Sequence, residues 1–296
     1  MAPVADSGIG KVETHGATRP RGTVIPPKPG VSVSQIPPAD IPVVPVLPAE
    51  SLRGKTALVT GSSRGIGADT VRYLAEAGAD VVINYRNKAP RAQKLADQLR
   101  ALGVRALVVG ADLTDQQSVD DMFAQIESEF GGLDVLVLNA SGGMESGMAA
   151  DYALQLNRDA QVRVLEAATP LLRAGSRVVF VTSHQAHFID TTPTMPEYEQ
   201  VALSKRAGED ALRERIPQLA EHGIGFVVVS GDMIEGTITA TLLARANPDA
   251  IASRRADAGR LYNVAEFAAE VASAAVDPIP ADNIRLVGDV SSFVAP

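Results

Sequence analysis

Three glycines in the run Thr60–Gly67 are spaced as a phosphate-binding turn requires, between a short apolar stretch and a segment of helical periodicity. Gly61 allows a tight turn out of a strand, while Gly65 and Gly67 have no Cβ and let the backbone approach a pyrophosphate. The free N–H groups at the helix start would then face the phosphates. The alternative, a tight strand-to-helix turn without a ligand, is disfavoured by the rest of the chain. The predicted contacts are Gly61, Ser63, Arg64, Gly65, Ile66 and Gly67.

The end of the next apolar run bears on which dinucleotide would bind. Roughly 20 residues after the glycine turn, an acidic residue would normally bind the ribose 2′-hydroxyl of NAD. The chain has Tyr85, Arg86 and Asn87 there, and Arg64 lies inside the turn itself. Two cations near that ribose suit a 2′-phosphate, so the sequence predicts NADP. The alternative is that both arginines are solvated surface charges.

Two further loops should border the same ligand, because ligands of open α/β sheets bind at the carboxyl ends of the strands. One follows the third apolar run, and the other follows the fourth. Asp112 could accept a hydrogen bond from the adenine amine or cap a helix that begins at Thr114 or Asp115, and the two roles are compatible. The predicted contacts in these loops are Asp112, Leu113, Asn139, Ala140, Ser141 and Gly142.

The elements that must position these loops are short apolar runs separated by helical stretches. Buried strands that alternate with helices predict an α/β fold, a doubly wound sheet of about seven mostly parallel strands with helices on both faces. The runs are Ala57–Thr60, Val81–Tyr85, Ala106–Val109, Val135–Leu138, Val178–Val181, Phe226–Val229 and Ile284–Val287.

The first 50 residues differ from the rest of the chain. They hold ten of the nineteen prolines, and proline disrupts both helices and sheets. Residues 1–50 are therefore predicted to be a mostly disordered tail, and residues 51–296 one folded domain. An alternative is that Ile41–Leu47 docks into a groove of this protein or of a partner.

Composition excludes several classes of function. The net charge of −8 and the lack of a basic cluster argue against binding to nucleic acid or to an anionic membrane. The chain has no cysteine, which excludes disulfides and thiolate catalysis and fits a cytoplasmic protein. It has no apolar run of the roughly 18 residues that a membrane helix needs, and no secretory signal is expected.

Four motifs together make the chain resemble the short-chain dehydrogenase/reductase family. They are the Thr60–Gly67 turn, the Asn139–Gly142 loop, Ser183 at the end of an apolar run, and Ser204-Lys205 on the next helix. The 3-oxoacyl-carrier-protein reductases are the most similar type. The resemblance implies a Rossmann fold, a nicotinamide cofactor, a homodimer or homotetramer, and reduction of a carbonyl in a ketoacyl or polyketide-like substrate.

The resemblance assigns a catalytic role to three residues and leaves a fourth role unfilled. Ser183 matches the serine that hydrogen-bonds the carbonyl oxygen, and Lys205 matches the lysine that binds the nicotinamide ribose and lowers the pKa of a tyrosine. Asn157 matches the asparagine that holds a water for proton relay. Val201, four residues before Lys205, stands where the family has its proton-donating tyrosine. A valine cannot transfer a proton.

Tyr198 is the nearest candidate to replace the missing tyrosine. Thr194 as N-cap and Glu197 as its capping-box partner predict a helix that carries Tyr198 in its second turn. Tyr198 and Lys205 would share one face but lie roughly 10.5 Å apart along the axis, whereas four residues would span about 6 Å. The Tyr198 hydroxyl could reach a substrate carbonyl without coupling directly to Lys205, or Tyr198 could be an ordinary half-buried aromatic residue.

His184 and His187 directly follow Ser183 and offer a second possible proton donor. They could also be loop histidines without a chemical role. No third ligand stands at a suitable spacing, so no metal is expected. If no donor replaces the tyrosine, the chain would bind NADP without ordinary redox turnover, as a sensor, a partner subunit or a non-redox enzyme.

The segment after the sixth apolar run should face the nicotinamide. Members of the family have an apolar residue and a threonine near the nicotinamide amide and the phosphates here, and Gly231, Ile234 and Thr237 fit that use. Asp232 and Glu235 are additional acids that could shape a polar substrate pocket or cap the next helix. Residues 237–262 should form a flap on the substrate side.

Overall fold

The computed structural model describes residues 46–145 and 147–294. The predicted tail lies outside the described residues as far as residue 45, and so does most of the Ile41–Leu47 segment. Within the described part, Leu47 is buried and Val46 packs against the same core cluster. The packed core therefore already includes side chains that precede Ser51.

A single sheet of seven strands organises the described chain. The strand order is β3-β2-β1-β4-β5-β6-β7, and all neighbouring strands are parallel. The predicted doubly wound α/β fold is confirmed. The strands are β1 Thr56–Val59, β2 Asp80–Tyr85, β3 Ala106–Gly110, β4 Leu133–Leu138, β5 Leu172–Ser183, β6 Gly225–Gly231 and β7 Ile284–Val287.

Helices connect successive strands and cover both faces of the sheet. Gln155–Asp159 forms one π-helical turn between α4 and α5, and Thr169–Leu171 is a short 3₁₀ turn. The helices are α1 Gly65–Glu76, α2 Ala89–Arg100, α3 Gln116–Phe130, α4 Tyr152–Leu154, α5 Ala160–Ala168, α6 His184–His187, α7 Pro196–Arg213, α8 Ile216–Glu221, α9 Ile238–Ala246, α10 Ala250–Ala258 and α11 Val264–Ala274.

Side chains of each strand alternate between two buried layers, as the period of two in a strand requires. In β1, Ala57 and Val59 pack in the layer that contains α1 and α11, whereas Leu58 packs in the layer that contains α3 and α5. Burial on both faces explains why the strands read as continuous apolar runs in the sequence.

A third apolar cluster lies beyond the carboxyl ends of β5 and β6. It joins residues of α6, α7 and the α9–α10 region, among them Tyr198, Val201, Met233 and Leu243. This cluster closes one side of the cavity described below.

Helix α7 crosses the π-helical turn in direct backbone contact. A Cβ on Gly208 would lie 2.0 Å from the carbonyl oxygen of Asn157, which is far shorter than any real contact. Glycine at this position therefore lets α7 approach the turn closely and pack against its backbone.

The predicted start of α7 is wrong. The helix begins at Pro196 with Met195 as the N-cap residue, so Thr194 lies outside it. The Thr194 hydroxyl is buried without a hydrogen-bond partner in the described part of the chain. Proline is favoured at the first helical position, and here it determines the start instead of the threonine. As a result, Tyr198 lies in the first turn, not the second.

The predicted helix start after β3 is also wrong. Helix α3 begins at Gln116, and its N-cap is Asp115, whose carboxylate accepts a hydrogen bond from the Ser118 N–H at 2.7 Å. Asp112 Oδ1 instead accepts hydrogen bonds from the N–H and the hydroxyl of Thr114 at 3.0 and 2.7 Å. Asp112 therefore stabilises the turn before α3 and does not cap the helix.

Candidate active site

A cavity of about 620 Å³ opens at the carboxyl ends of the strands. Its wall contains most of the residues that the sequence singles out. The glycine turn contributes Gly61 and residues 63–67, and the loops after β2, β3 and β4 contribute residues 85–87, 112–113 and 139–141. Ser183, Tyr198, Lys205, Ile234 and Thr237 line the same cavity.

The three glycines of the turn play different steric roles. Gly61 has a φ of 63°, and a Cβ there would lie 3.2 Å from Ala140 Cα. A Cβ on Gly67 would lie 2.6 Å from Asn139 Nδ2, so both glycines let the turn pack against the loop after β4. Gly65 has a φ of 58°, and its Cβ would meet nothing within 4 Å. Gly65 therefore faces open space in the cavity.

Helix α1 begins at Gly65 with its N–H groups at the cavity. Arg64 is the N-cap residue, and its side chain makes no capping hydrogen bond within the described ranges. The first turn contains no acidic side chain that would satisfy these donors. Uncapped N–H groups and the positive end of the helix dipole fit the phosphates of a dinucleotide.

Two buried polar side chains hold the turn in place. The Thr60 hydroxyl accepts hydrogen bonds from the N–H groups of Asn139 and Ala140 at 2.9 and 3.0 Å. Asn84 Oδ1 accepts from the Gly61 N–H at 3.0 Å. The sequence analysis did not identify Asn84, although its position as a polar residue in an otherwise apolar strand is a usable signal.

A group of basic side chains lines one end of the cavity. Arg64 and Arg86 are joined there by Lys88 and Arg91. The Arg86 guanidinium donates a hydrogen bond to the Tyr152 hydroxyl and lies 5.6 Å from the centre of that ring. Lys88 and Arg91 were missed, although both follow β2 closely. Four cations at one end make this the natural position for an additional phosphate.

Tyr198 and Ser183 meet in the cavity wall. Their hydroxyl oxygens are 3.2 Å apart. Burial raises the pKa of Tyr198 above its ordinary value, and the hydrogen bond with Ser183 opposes this only in part. The phenol of Tyr198 is therefore protonated at neutral pH.

Lys205 lines the same cavity on the next turns of α7. Burial lowers the pKa of Lys205 to about 8, and the carboxylate of Glu209, one turn further, acts in the opposite direction. Val201 is buried in the third apolar cluster and is absent from the described cavity wall. Its side chain lies close to Gly143, where a Cβ would be 3.2 Å from Val201 Cγ2.

The two histidines lie away from the cavity wall. His184 is fully buried, its Nδ1 is 2.8 Å from Ser230 Oγ, and its ring packs edge-on against Phe188 and Phe293. Burial lowers the pKa of His184 to about 4. His187 Nδ1 is 2.8 Å from the buried carboxylate of Glu209. Their packing and hydrogen bonds do not support the hypothesis that a histidine donates the proton.

Three predicted site residues fall outside the cavity wall in the described structure. Asn157 is buried, and its amide donates to the Gly142 carbonyl at 2.8 Å and to Ser204 Oγ at 2.9 Å. Its Oδ1 accepts from the Gly142 N–H at 3.2 Å. Asn157 and Gly142 therefore bind each other in the described structure.

Gly231 is the third predicted site residue that lies outside the cavity wall. A Cβ on Gly231 would lie 2.4 Å from an atom of the Phe267 ring. The glycine lets Phe267 of α11 pack directly on the end of β6.

The two acids after β6 have separate roles. Asp232 lines the cavity, whereas Glu235 pairs with the exposed Arg255 on α10. Neither caps the next helix, because the N-cap of α9 is Thr237, whose hydroxyl accepts from the Ala240 N–H at 3.1 Å. Helices α9 and α10 occupy the predicted flap, and α9 contributes to the cavity wall.

No group of three or more His, Asp or Glu side chains within residues 46–145 and 147–294 is arranged to hold a metal ion. In the same ranges, no helix is both long and apolar enough to cross a membrane.

Curated relatives share part of the chain. A hydroxynaphthalene reductase-like protein Arp2 of Metarhizium majus is 36% identical over 169 residues, which cover 55% of this chain and 62% of the relative. The hydroxynaphthalene reductase arp2 of Aspergillus fumigatus is 36% identical over 138 residues, or 45% of this chain and 50% of the relative. The chain thus spans less than two thirds of the length of these relatives.

Solved structures are similar over a larger share. A short chain dehydrogenase of Burkholderia cenocepacia in complex with NADP has a TM-score of 0.66 and 27% identity, and the match covers 82% of this chain and 99% of the other. The angucycline C-6 ketoreductase LanV with bound NADP has a TM-score of 0.63 and 28% identity, with 76% and 89% covered.

The sequence model of the short chain dehydrogenases matches residues 55–247. The matched residues extend from β1 through the glycine turn, the Ser183–Tyr198 pair and Lys205 to the end of α9. Since they span most of the sheet and most of the cavity wall, we conclude that this chain belongs to the short chain dehydrogenase family.

Proposed function

We propose that this protein is an NADP(H)-dependent reductase of carbonyl compounds in which Tyr198 donates the proton. The observation that carries the proposal is the Ser183–Tyr198 hydroxyl pair, 3.2 Å apart, in the cavity that also contains the glycine turn. The curated relatives with reductase names support the reaction class.

The residues that would hold the cofactor form a continuous wall. The N–H groups at the start of α1 would bind the pyrophosphate, and Arg64, Arg86, Lys88 and Arg91 would surround the 2′-phosphate. Similar proteins that are solved with NADP support this choice of cofactor. When bound in its reduced form, the nicotinamide supplies the hydride.

The protein's own residues would supply the proton. The carbonyl oxygen of the substrate would accept hydrogen bonds from Ser183 and Tyr198, and the Tyr198 phenol would transfer its proton as the hydride reaches the carbonyl carbon. The product is the alcohol. Lys205 carries its charge below pH about 8 and would stabilise the phenolate that forms.

The substrate is proposed to be a ketone on an aromatic, polyketide-like ring system rather than a linear ketoacyl chain. The relatives include hydroxynaphthalene reductases, and LanV acts on an angucycline. In the cavity wall, Met195, Met233 and Leu243 provide an apolar surface beside Tyr198. Such a surface fits a flat ring.

One observation favours a second function, NADP binding without ordinary turnover. Both side-chain N–H groups of Asn157 donate hydrogen bonds, one to the Gly142 carbonyl and one to Ser204 Oγ. It would therefore not donate a hydrogen bond to the water of a family-like proton relay. A sensor or a partner subunit would tolerate this arrangement, whereas a reductase would need another route to reprotonate Tyr198.

Tyr198→Phe tests the choice between the two functions. NADPH consumption is followed with α-tetralone and related bicyclic ketones, and the affinity for NADP is measured by calorimetry. A reductase should lose about 10²–10⁴-fold in kcat, since this is the usual contribution of a general acid, with little change in NADP affinity.

Tyr262→Phe is the matched control, because Tyr262 does not belong to the described cavity wall. Unchanged kcat in Tyr198→Phe would refute the assignment of the proton donor, and no turnover of any ketone by the wild type would favour the second function.

We also propose a homodimer or homotetramer that forms on the outer faces of α5 and α7. Leu203 on α7 is 50% exposed, and a contact between two copies through this helix would bury it. Sedimentation velocity of the wild type and of Leu203→Glu tests this, and a wild-type monomer would refute it.

A further inference from the structure

We infer that Asp232 and Gln185 form a subsite for a hydroxyl group that the substrate carries in addition to its reacting carbonyl. This inference rests on the proposed reductase function and specifies its substrate class: ketones on an apolar ring that also bear a hydroxyl. The two residues both line the cavity and are both buried.

The sheet places the subsite beside the reacting groups. Ser183 on β5 is the register partner of Gly231 on β6, and neighbouring strands lie about 4.8 Å apart. Asp232 directly follows Gly231, and Gln185 lies in α6, two residues after Ser183. One substrate molecule of two fused rings can therefore contact Ser183 and the subsite together.

Asp232 is fixed from behind by Arg254 of α10. Arg254 Nε lies 2.9 Å from each carboxylate oxygen of Asp232. The other guanidinium nitrogens bind Ser292 Oγ at 2.8 Å and the main chain and carboxylate of Asp289 at 3.0 Å. Arg254 does not contribute to the described cavity wall. The ion pair offsets the charge of Asp232. Its Oδ1 accepts from both Arg254 and Gln185, whereas Oδ2 accepts only from Arg254 among the described residues and keeps a lone pair for a further donor.

Gln185 complements Asp232 with a donor. Its Nε2 donates to Asp232 Oδ1 at 3.4 Å, which leaves a second amide N–H on the same nitrogen. Gln185 Oε1 accepts no hydrogen bond from the described residues. The two side chains thus present carboxylate and amide oxygens next to an N–H donor.

Among simple substituents, a hydroxyl matches this combination because it both donates and accepts. A carboxylate or phosphate can only accept, and it would face the oxygens of Asp232. An ammonium can only donate, so it would leave the second N–H of Gln185 without an acceptor. A site built to hydrogen-bond a substrate hydroxyl discriminates strongly against the analogue that lacks it, because its buried polar groups are then left unpaired.

The competing explanation is that the Asp232–Arg254 pair only anchors α10 to the sheet. Equilibrium binding separates the two. The probes are α-tetralone, its phenolic isomers with the hydroxyl at each ring position, and the matching methoxy ethers. Affinities are measured by calorimetry on protein saturated with NADP⁺, which cannot reduce a ketone, so binding is read without turnover.

We expect at least one phenolic isomer to bind about tenfold or more tightly than α-tetralone, since a bidentate polar contact in a buried site reaches this range, and its methoxy ether to lose that gain. In Gln185→Leu the ratio between the affinities for the phenol and for α-tetralone should approach one, because the phenol loses more affinity than α-tetralone does. Met195→Leu, another change in the cavity wall, should preserve the ratio.

Several results would overturn the inference. One is equal affinity of the wild type for every phenol and α-tetralone. Another is a methoxy ether that binds as tightly as its phenol. This comparison uses only the wild type, so it remains valid even if Gln185→Leu fails to fold. The third is a parallel loss of affinity for all probes in Gln185→Leu. If the wild type consumes NADPH with α-tetralone and its phenols at equal kcat/KM, the subsite fails and the reductase proposal stands. If no ketone binds, both fail.

Discussion

The hydroxyl oxygens of Ser183, at the end of β5, and Tyr198, on α7, are 3.2 Å apart. Helix α7 begins at Pro196, so Tyr198 lies in its first turn. Side chains on a helix lean toward its N-terminus, and the phenol therefore reaches back to the end of β5. Val201 lies almost one turn further along α7 and packs into the third apolar cluster.

Lys205 should control both cofactor binding and rate. Lys205→Ala removes a charge from the cavity wall, so we expect weaker NADP(H) binding and a fall in kcat/KM of at least about tenfold, as loss of a buried charge-assisted hydrogen bond implies. Calorimetry and steady-state kinetics measure the two effects, and turnover at the wild-type rate would show that Lys205 has no such role.

The charge on Lys205 should also appear in the pH profile. Because burial lowers the pKa of Lys205 to about 8, the side chain is charged below that pH and loses its proton above it. We expect kcat to decline as the pH rises through about 8, and the decline should be absent from the residual activity of Lys205→Ala. A flat wild-type profile between pH 7 and 9 would contradict this role.

Arg86 should select NADPH over NADH. Arg86→Ala removes one of four cations at the end of the cavity, and we expect the ratio of the two kcat/KM values to fall by about tenfold, the scale of one charge-assisted contact to a phosphate. Lys88→Ala and Arg91→Ala, as single variants, should each also lower the ratio of the kcat/KM values for NADPH and NADH. Arg100→Ala is the control, because Arg100 lies on α2 like Arg91 but outside the described cavity wall. A ratio that is unchanged in all three test variants would refute a 2′-phosphate site here.

His184 should make the fold sensitive to acid. Its pKa in the folded state is lowered to about 4 from 6.5. As the pH falls, His184 therefore binds a proton at a higher pH in the unfolded chain than in the folded chain. The stability that neutral His184 contributes is complete above pH 6.5 and is lost as the pH falls toward 4, by about 3 kcal/mol.

Urea unfolding between pH 7 and 4 measures this loss. His184→Gln retains a partner for Ser230 and cannot titrate, so its stability should fall less steeply over the same range. Parallel curves for the wild type and the variant would mean that His184 does not control acid stability.

Gly208→Ala should destabilise the protein strongly. The added Cβ would approach the Asn157 carbonyl oxygen to 2.0 Å, and the backbone of α7 or of the π-helical turn must move. We expect a loss of about 1–3 kcal/mol or more, as for overpacking of a core. Gly132→Ala is a matched control because the three atoms nearest to its Cβ all belong to the flexible end of the Arg173 side chain. Equal thermal stability of the two variants would contradict the close helix crossing.

The sheet was predictable from the sequence because each strand is buried on both faces and reads as an apolar run. The glycine turn was predictable because its spacing is local. What the sequence did not reveal depends on distant packing. Gly231 is required by Phe267 of α11, and no local pattern connects the two.

Local signals also misled where two of them competed. Thr194 and Glu197 satisfy the capping-box pattern, yet Pro196 fixes the first helical position and displaces the start of α7.

Other features depend on contacts that are distant in sequence. Asn157 lies in a π-helical turn, and its side-chain amide donates hydrogen bonds to Gly142 and Ser204. Lys88 and Arg91 were missed because exposed charges after a strand are common and gain meaning only beside the cavity.

Arg254 joins the cavity wall to the last described residues of the chain. It contacts Asp232 on one side and Asp289, Ser292 and the ring of Phe293 on the other. A deletion or substitution within residues 289–293 would therefore also alter the cavity wall at Asp232, although these residues do not themselves line the described cavity.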